Sequence, residues 1–131
     1  APANKARRYK AAAGIMKSGV GPVAEGMSAK LTPDKWVQAY VQKLIAEQHP
    51  AGLAGALKAM AERDDSTSIL PSFTFPFTIV HGGLDELIPI QRAREIKAAI
   101  PNANLTELHN VGHMPMMEDP QSTAKALKKL L

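Results

Sequence analysis

Two polar side chains in the second half of the chain are placed where they could do chemistry. The first ends the run Phe77-Thr78-Ile79-Val80-His81-Gly82-Gly83-Leu84-Asp85, an apolar β-type stretch closed by a glycine turn that presents a carboxylate. The second lies in Gly112-His113-Met114-Pro115-Met116-Met117-Glu118-Asp119-Pro120, a loop opened by glycine that presents an imidazole. A carboxylate and an imidazole delivered by separate loops are two members of a Ser-His-Asp triad. The imidazole moves a proton between a hydroxyl and a leaving group near neutral pH, and the carboxylate holds its tautomer and stabilises the imidazolium. The third member is a serine on a sharp strand-to-helix turn, and no such turn is found in these residues. The nearest imitation of Gly-x-Ser-x-Gly is Gly26-Met27-Ser28-Ala29-Lys30, which lacks the last glycine and follows no strand, so Ser28 is not read as a nucleophile.

Other chemistries fit less well. The absence of cysteine removes both a disulfide scaffold and a thiolate zinc site, and it agrees with a reducing, cytoplasmic setting. A zinc site built from His109, His113 and Asp85 fails because Gly112 breaks any helix that would bring the two imidazoles to one face, so no metal is expected. Gly14 to Gly21 is glycine-spotted but has no Gly-Lys-Ser/Thr ending, which argues against a phosphate loop. His81 and His109 fall at strand ends and are read as structural hydrogen-bonding groups. Glu118 and Pro120 are also read as structural, an acid near the start of the last helix and a proline at its first position. Trp36, Tyr40 and Met114 are the candidates for substrate contact, with packing of their own helix the alternative for Trp36 and Tyr40.

These groups need elements to hold them. Asn4 to Lys17 predicts a helix capped by Asn4, and a shorter helical stretch is expected from Val23 to Leu31. Thr32-Pro33-Asp34 is a strong helix start, with a capping hydroxyl, proline at the first position and an acid in the first turn. The spacing of Trp36, Val37, Tyr40, Val41, Leu44 and Ile45 predicts an amphipathic helix that ends before His49-Pro50, and another helix follows from Ala51 to Arg63. From Pro76 the character changes. Phe77 to His81 has the pattern of a strand buried on both faces, Pro89 opens a helix, Asn104 to His109 reads as a second strand, and Asp119-Pro120 caps a final helix. The division expected is a helical segment over residues 1–70 followed by a strand-helix-strand-helix α/β portion with a parallel sheet over residues 71–131.

Two strands are too few for a sheet that stands alone, so this pattern expects completion by another chain or by further copies. At 131 residues the length is that of one domain, and 45% apolar with 21% charged residues is ordinary for a soluble protein. No apolar run reaches the ~18 residues of a membrane span. The six methionines suit gap filling in a core or an adaptable cleft lining. The net charge of +4 is concentrated at the start, where Lys5, Arg7, Arg8, Lys10 and Lys17 precede the first acid, Glu25. That opening is poor in serine and has only Tyr9 to stack on a base. It is therefore read as a solvated helix face, with neither nucleic acid nor membrane as partner.

The stretches Pro76 to Asp85, Leu87-Ile88-Pro89-Ile90, Ile100-Pro101-Asn102-Ala103 and Gly112 to Pro120 resemble the C-terminal half of the α/β-hydrolase family. Within that family the resemblance is to the small single-chain esterases, lactonases and cofactor-free haloperoxidase-like members. The helices before them look like that family's cap, including Ala59-Met60-Ala61-Glu62-Arg63-Asp64. The resemblance implies a partial α/β-hydrolase fold: a helical cap followed by the last two β-α units of a parallel sheet. It also implies ester or lactone hydrolysis through an acyl-enzyme, with Asp85 as the acid, His113 as the general base and no cofactor. A small ester-like substrate is expected in the complete protein, with an N-terminal half or a second copy as partner. The alternative is a non-catalytic binding or assembly module that uses its open sheet edge.

Overall fold

The first helix, α1 (Pro2–Ser18), starts earlier than the asparagine cap places it, because proline is tolerated in a first helical turn and Asn4 is carried inside. The computed structural model describes residues 2–130. α1 runs through Gly14 and stops at Gly19, whose φ of 77° is the left-handed conformation glycine adopts at no steric cost. The Gly19 N–H closes the last turn on the Ile15 carbonyl at 2.9 Å. Three more helices follow, α2 (Gly21–Leu31), α3 (Lys35–Ala46) and α4 (Pro50–Glu62). Among the described residues no helix is long and apolar enough to cross a membrane.

α3 begins later than expected. Thr32 is not its cap: Asp34 is, its Oδ1 accepting from the Trp36 and Val37 N–H groups at 2.8 and 2.9 Å. Thr32 Oγ1 instead accepts from the Asp34 N–H at 3.1 Å, which orients the capping residue. A carboxylate engages two free amides at once and complements the helix dipole, so it takes the position ahead of the hydroxyl. α4 opens as its Pro50 requires, with His49 as cap accepting from the Ala51 N–H at 3.3 Å.

The chain divides into two compact units. One joins the stretch ending at Ser28 to Ala39–Asp65. Within it α1 and α4 pack along each other, and Ala12, Ile15, Ala24, Val41 and Ala54 are buried. Part of the basic face of α1 is committed to the end of α4. Lys5 Nζ lies 2.7 Å from Glu62 Oε2, Tyr9 donates its hydroxyl to the same carboxylate, and Arg8 Nη1 donates to the Met60 carbonyl at 2.7 Å. Arg7, Lys10 and Lys17 are exposed.

The other unit joins Ala29–Gln38 to everything from Ser66 onward. Its elements are β1 (Phe77–Gly82), α5 (Ile90–Ala99), β2 (Ala103–Leu108), a short α6 (Pro115–Glu118) and α7 (Pro120–Leu127). The two strands pair in parallel, in register from Phe77 opposite Ala103 to Gly82 opposite Leu108. Val37 of α3, Ala93 of α5, Ile100, Ala103, Val111 and Ala126 of α7 are the buried apolar residues of this unit among those described. β1 is not covered as its sequence predicts. Phe77 to His81 are half-buried and only Gly82 is fully enclosed, because among the described residues β1 has a single neighbouring strand. The cap at Asp119 is as expected, accepting from the Ser122 N–H at 2.9 Å. The one-turn helix α6 was not expected; it forms where the sequence reads as loop.

Candidate functional site

Asp85 follows a turn that is bonded back to the sheet. The Gly83 N–H donates to the Leu108 carbonyl at 2.8 Å and the Leu84 N–H to the Val111 carbonyl at 2.9 Å, so the turn after β1 is held against the end of β2. The two carboxylate oxygens then do different work. Oδ1 accepts from the Leu87 and Ile88 N–H groups at 2.8 and 3.0 Å, which fixes the side chain. Oδ2 is left for His113, whose Nδ1 lies 2.7 Å away. A carboxylate oxygen only accepts, so Nδ1 carries the proton and the lone pair of the neutral ring sits on Nε2, the tautomer a general base requires. Asp85 is 4% exposed at its side chain and His113 33%, so the carboxylate is enclosed while the imidazole remains reachable.

Burial pushes the Asp85 carboxyl up, but the His113 hydrogen bond, the two backbone amides and the nearby imidazole outweigh it and hold the group below the ordinary carboxylate range. A depressed folded-state pKa stabilises the fold above the unfolded value, and that contribution is lost as pH falls through the folded one. Urea unfolding of the wild type and Asp85→Asn should therefore differ most near neutrality. The difference should shrink as pH drops below about 4.

His113 is held as firmly as Asp85. All three amides around it are bonded: His113 N–H donates to the Leu31 carbonyl at 2.7 Å, Gly112 N–H to Glu118 Oε2 at 2.8 Å and Met114 N–H to Glu118 Oε1 at 3.0 Å. Gly112 is required by close approach, since a Cβ there would stand 2.9 Å from the Leu31 carbonyl oxygen and 2.9 Å from Pro33 Cδ. Glu118 is thus more than an acid near a helix start. It closes α6 and turns back to clamp the peptides on both sides of His113. Glu118, the carboxylate that follows the apolar stretch Met114 to Met117, was the available sign of this. Glu118→Ala should cost about 2 kcal/mol in chemical denaturation, because two amides lose a charged acceptor. Glu118→Gln, which keeps one acceptor oxygen, should fall between it and the wild type.

The remaining candidates lie elsewhere. Trp36 is 81% and Tyr40 49% exposed on α3, and Met114, half-buried, adjoins His113 in the chain. Ser28 is buried inside α2, its hydroxyl donating to the Glu25 carbonyl at 3.1 Å, which is how a helix interior satisfies a serine. His81 is close to the pair: its Nδ1 lies 2.8 Å from the Gly82 carbonyl and its Nε2 3.7 Å from Asp85 Oδ2. A cleft of about 380 Å³ opens at the Asp85 turn, lined by Lys30, Thr32, Pro33, Gly83, Leu84 and Asp85 among others. His113 is not among its walls.

No family model matches the chain. Similarity to known proteins appears in individual comparisons. The chain is 25% identical over 87 residues to the pimeloyl-[acyl-carrier protein] methyl ester esterase of Aromatoleum aromaticum, covering 66% of this chain and 34% of that protein. It is 30% identical over 76 residues to the enzyme of the same name from Vibrio vulnificus, covering 58% of this chain and 29% of the relative. A thermophilic esterase from Thermogutta terrifontis superposes with a TM-score of 0.92 at 28% identity, covering 98% of this chain and 50% of that structure. The chain therefore spans about a third of these curated relatives and half of that esterase. With the parallel strand pair, these likenesses show that the chain has a partial α/β-hydrolase fold, matching about half the length of that esterase.

Proposed function

We propose that this chain supplies the acid and base of a serine hydrolase acting on carboxylic esters or lactones through an acyl-enzyme. The reading rests on one observation, the 2.7 Å contact of His113 Nδ1 with an enclosed and otherwise amide-bonded Asp85 carboxylate. A serine hydroxyl brought to Nε2 gives up its proton there as its oxygen attacks the ester carbonyl. His113 then returns that proton to the leaving alkoxide, and the same exchange through water releases the acid. Asp85 stays ionised throughout and stabilises the imidazolium. The serine and the oxyanion hole come from a polypeptide segment outside these residues, and Trp36, Tyr40 and Met114 are the residues proposed to touch the substrate. With no cysteine to oxidise, the reaction suits the reducing cytoplasm.

The test is a nitrophenyl-ester assay with a serine-directed phosphonate, run on this chain alone and on the chain joined to a family N-terminal segment bearing Gly-x-Ser-x-Gly. The chain alone should show no phosphonate-sensitive turnover, and the joined protein should show it. Phosphonate-sensitive turnover by the chain alone overturns the missing nucleophile. A folded joined protein without turnover overturns the hydrolase reading.

A second reading is favoured by the one-sided pairing of β1 among the described residues, which leaves one strand edge open to a partner. On that reading the chain is an assembly module that adds strands or copies at this edge. Size-exclusion chromatography at several concentrations separates the readings, since a monomer at all of them argues against assembly.

A further inference from the structure

We propose that His81 is a positioning residue for the Asp85–His113 pair, a second imidazole on the oxygen that holds the base, whose proton governs how strongly Asp85 supports His113. The inference rests on the reading above for its bearing on catalysis and on the structure alone for its geometry.

The Gly82 carbonyl can only accept, so His81 Nδ1, 2.8 Å from it, carries a proton. A neutral His81 then has its lone pair on Nε2. That nitrogen is buried without a hydrogen-bond partner. It lies 3.7 Å from Asp85 Oδ2, with the two side chains 10% and 4% exposed. A lone pair facing a carboxylate in an enclosed setting is repelled. A proton on Nε2 turns that repulsion into attraction and satisfies the orphaned atom. The same Oδ2 accepts the His113 Nδ1–H at 2.7 Å. A cationic His81 therefore draws on the charge that supports the His113 imidazolium and opposes a second positive ring beside it.

Several other charged groups near β1 have partners of their own. Glu107, opposite His81 in the register, is held by both Arg94 nitrogens at 2.8 and 2.7 Å. Its carboxyl sits below the ordinary range through those bonds first, against desolvation, with His109 and His81 adding to the effect. From the elements packed on β1, Glu118 of α6 is bonded to Gly112 and Met114, and Asp119, at the start of α7, to Ser122. Lys129, in the turn after α7, reaches Thr106 Oγ1 at 3.3 Å. Asp85 is the acid in contact with Nε2.

The experiment follows the ring nitrogens of the full chain, labelled at histidine, by NMR from about pH 5 to about pH 9. His81 and His113 should titrate as a coupled pair, each curve inflecting where the other ring gains its proton. In His81→Gln the His113 curve should become a single step, its midpoint moved up. A His113 curve unchanged in shape and midpoint overturns the proposal. If His81→Gln fails to fold, the wild-type curves decide, and two independent single steps overturn it. The titration needs no turnover, so a joined protein that hydrolyses nothing removes the proposed function and leaves the ring coupling to be judged by itself.

Discussion

In a hydrolase assembled around this chain, His113→Ala is expected to lower kcat by about 10⁵-fold or more and Asp85→Ala by about 10⁴-fold, with KM little changed. The two differ because of what each group does. Without His113 no base takes the serine proton and no acid protonates the alkoxide. Without Asp85 the imidazole is still present, but its tautomer is no longer fixed and its cation loses the enclosed carboxylate 2.7 Å away. The double variant should be little worse than His113→Ala, since residues that act as one unit do not add. Steady-state kinetics with phosphonate titration of active sites reads all three. Additive losses would show that the pair does not function as a unit.

Gly82→Ala should have the largest effect on stability, about 3 kcal/mol or more. A Cβ at that position would lie 1.9 Å from the Gly112 carbonyl oxygen, 2.3 Å from the Val111 oxygen and 2.7 Å from the Val111 carbonyl carbon. All three are backbone atoms, so no side chain can swing aside. Either β1 or the His113 loop must move, and the same shift separates Asp85 from His113. The control is Gly83→Ala, whose Cβ would meet His109 backbone at 3.0 to 3.4 Å, a contact that a small adjustment relieves. Thermal melts followed by circular dichroism should show Gly82→Ala lowered by roughly 10 °C or more. A loss under about 1 kcal/mol would mean that the two loops are not locked together as the structure has them.

Much of this arrangement is legible in the residues. The change from 3.6-residue periodicity to a short continuous apolar run marks β1, and Pro89, Asp119 and Pro120 mark helix starts within a residue of where they occur. Asp85 after two glycines and His113 after one stand out because few other residue types suit a tight turn that presents a reactive group. Other features were hidden because they depend on distant parts of the chain. The cap of α3 moved from Thr32 to Asp34 through competition between two adjacent capping groups, which composition does not rank. α6 forms in a stretch whose proline and methionines read as loop, because its last residue, Glu118, is needed by the amides around His113.

By itself the sequence determined which residues could act as acid and base, the parallel α/β character of the second half and the absence of a Gly-x-Ser-x-Gly pattern from these residues. These follow from local patterns, a strand-length apolar run, glycine turns and a missing glycine after Ser28. Only the tertiary structure decided that the two loops meet, that one Asp85 oxygen is spent on backbone amides while the other faces His113, and that His81 shares that oxygen. The physical reason is distance along the chain. A hydrogen bond between residues far apart in sequence is set by the strand register and by the glycines that let backbones approach, and neither can be read from the residues that make the bond.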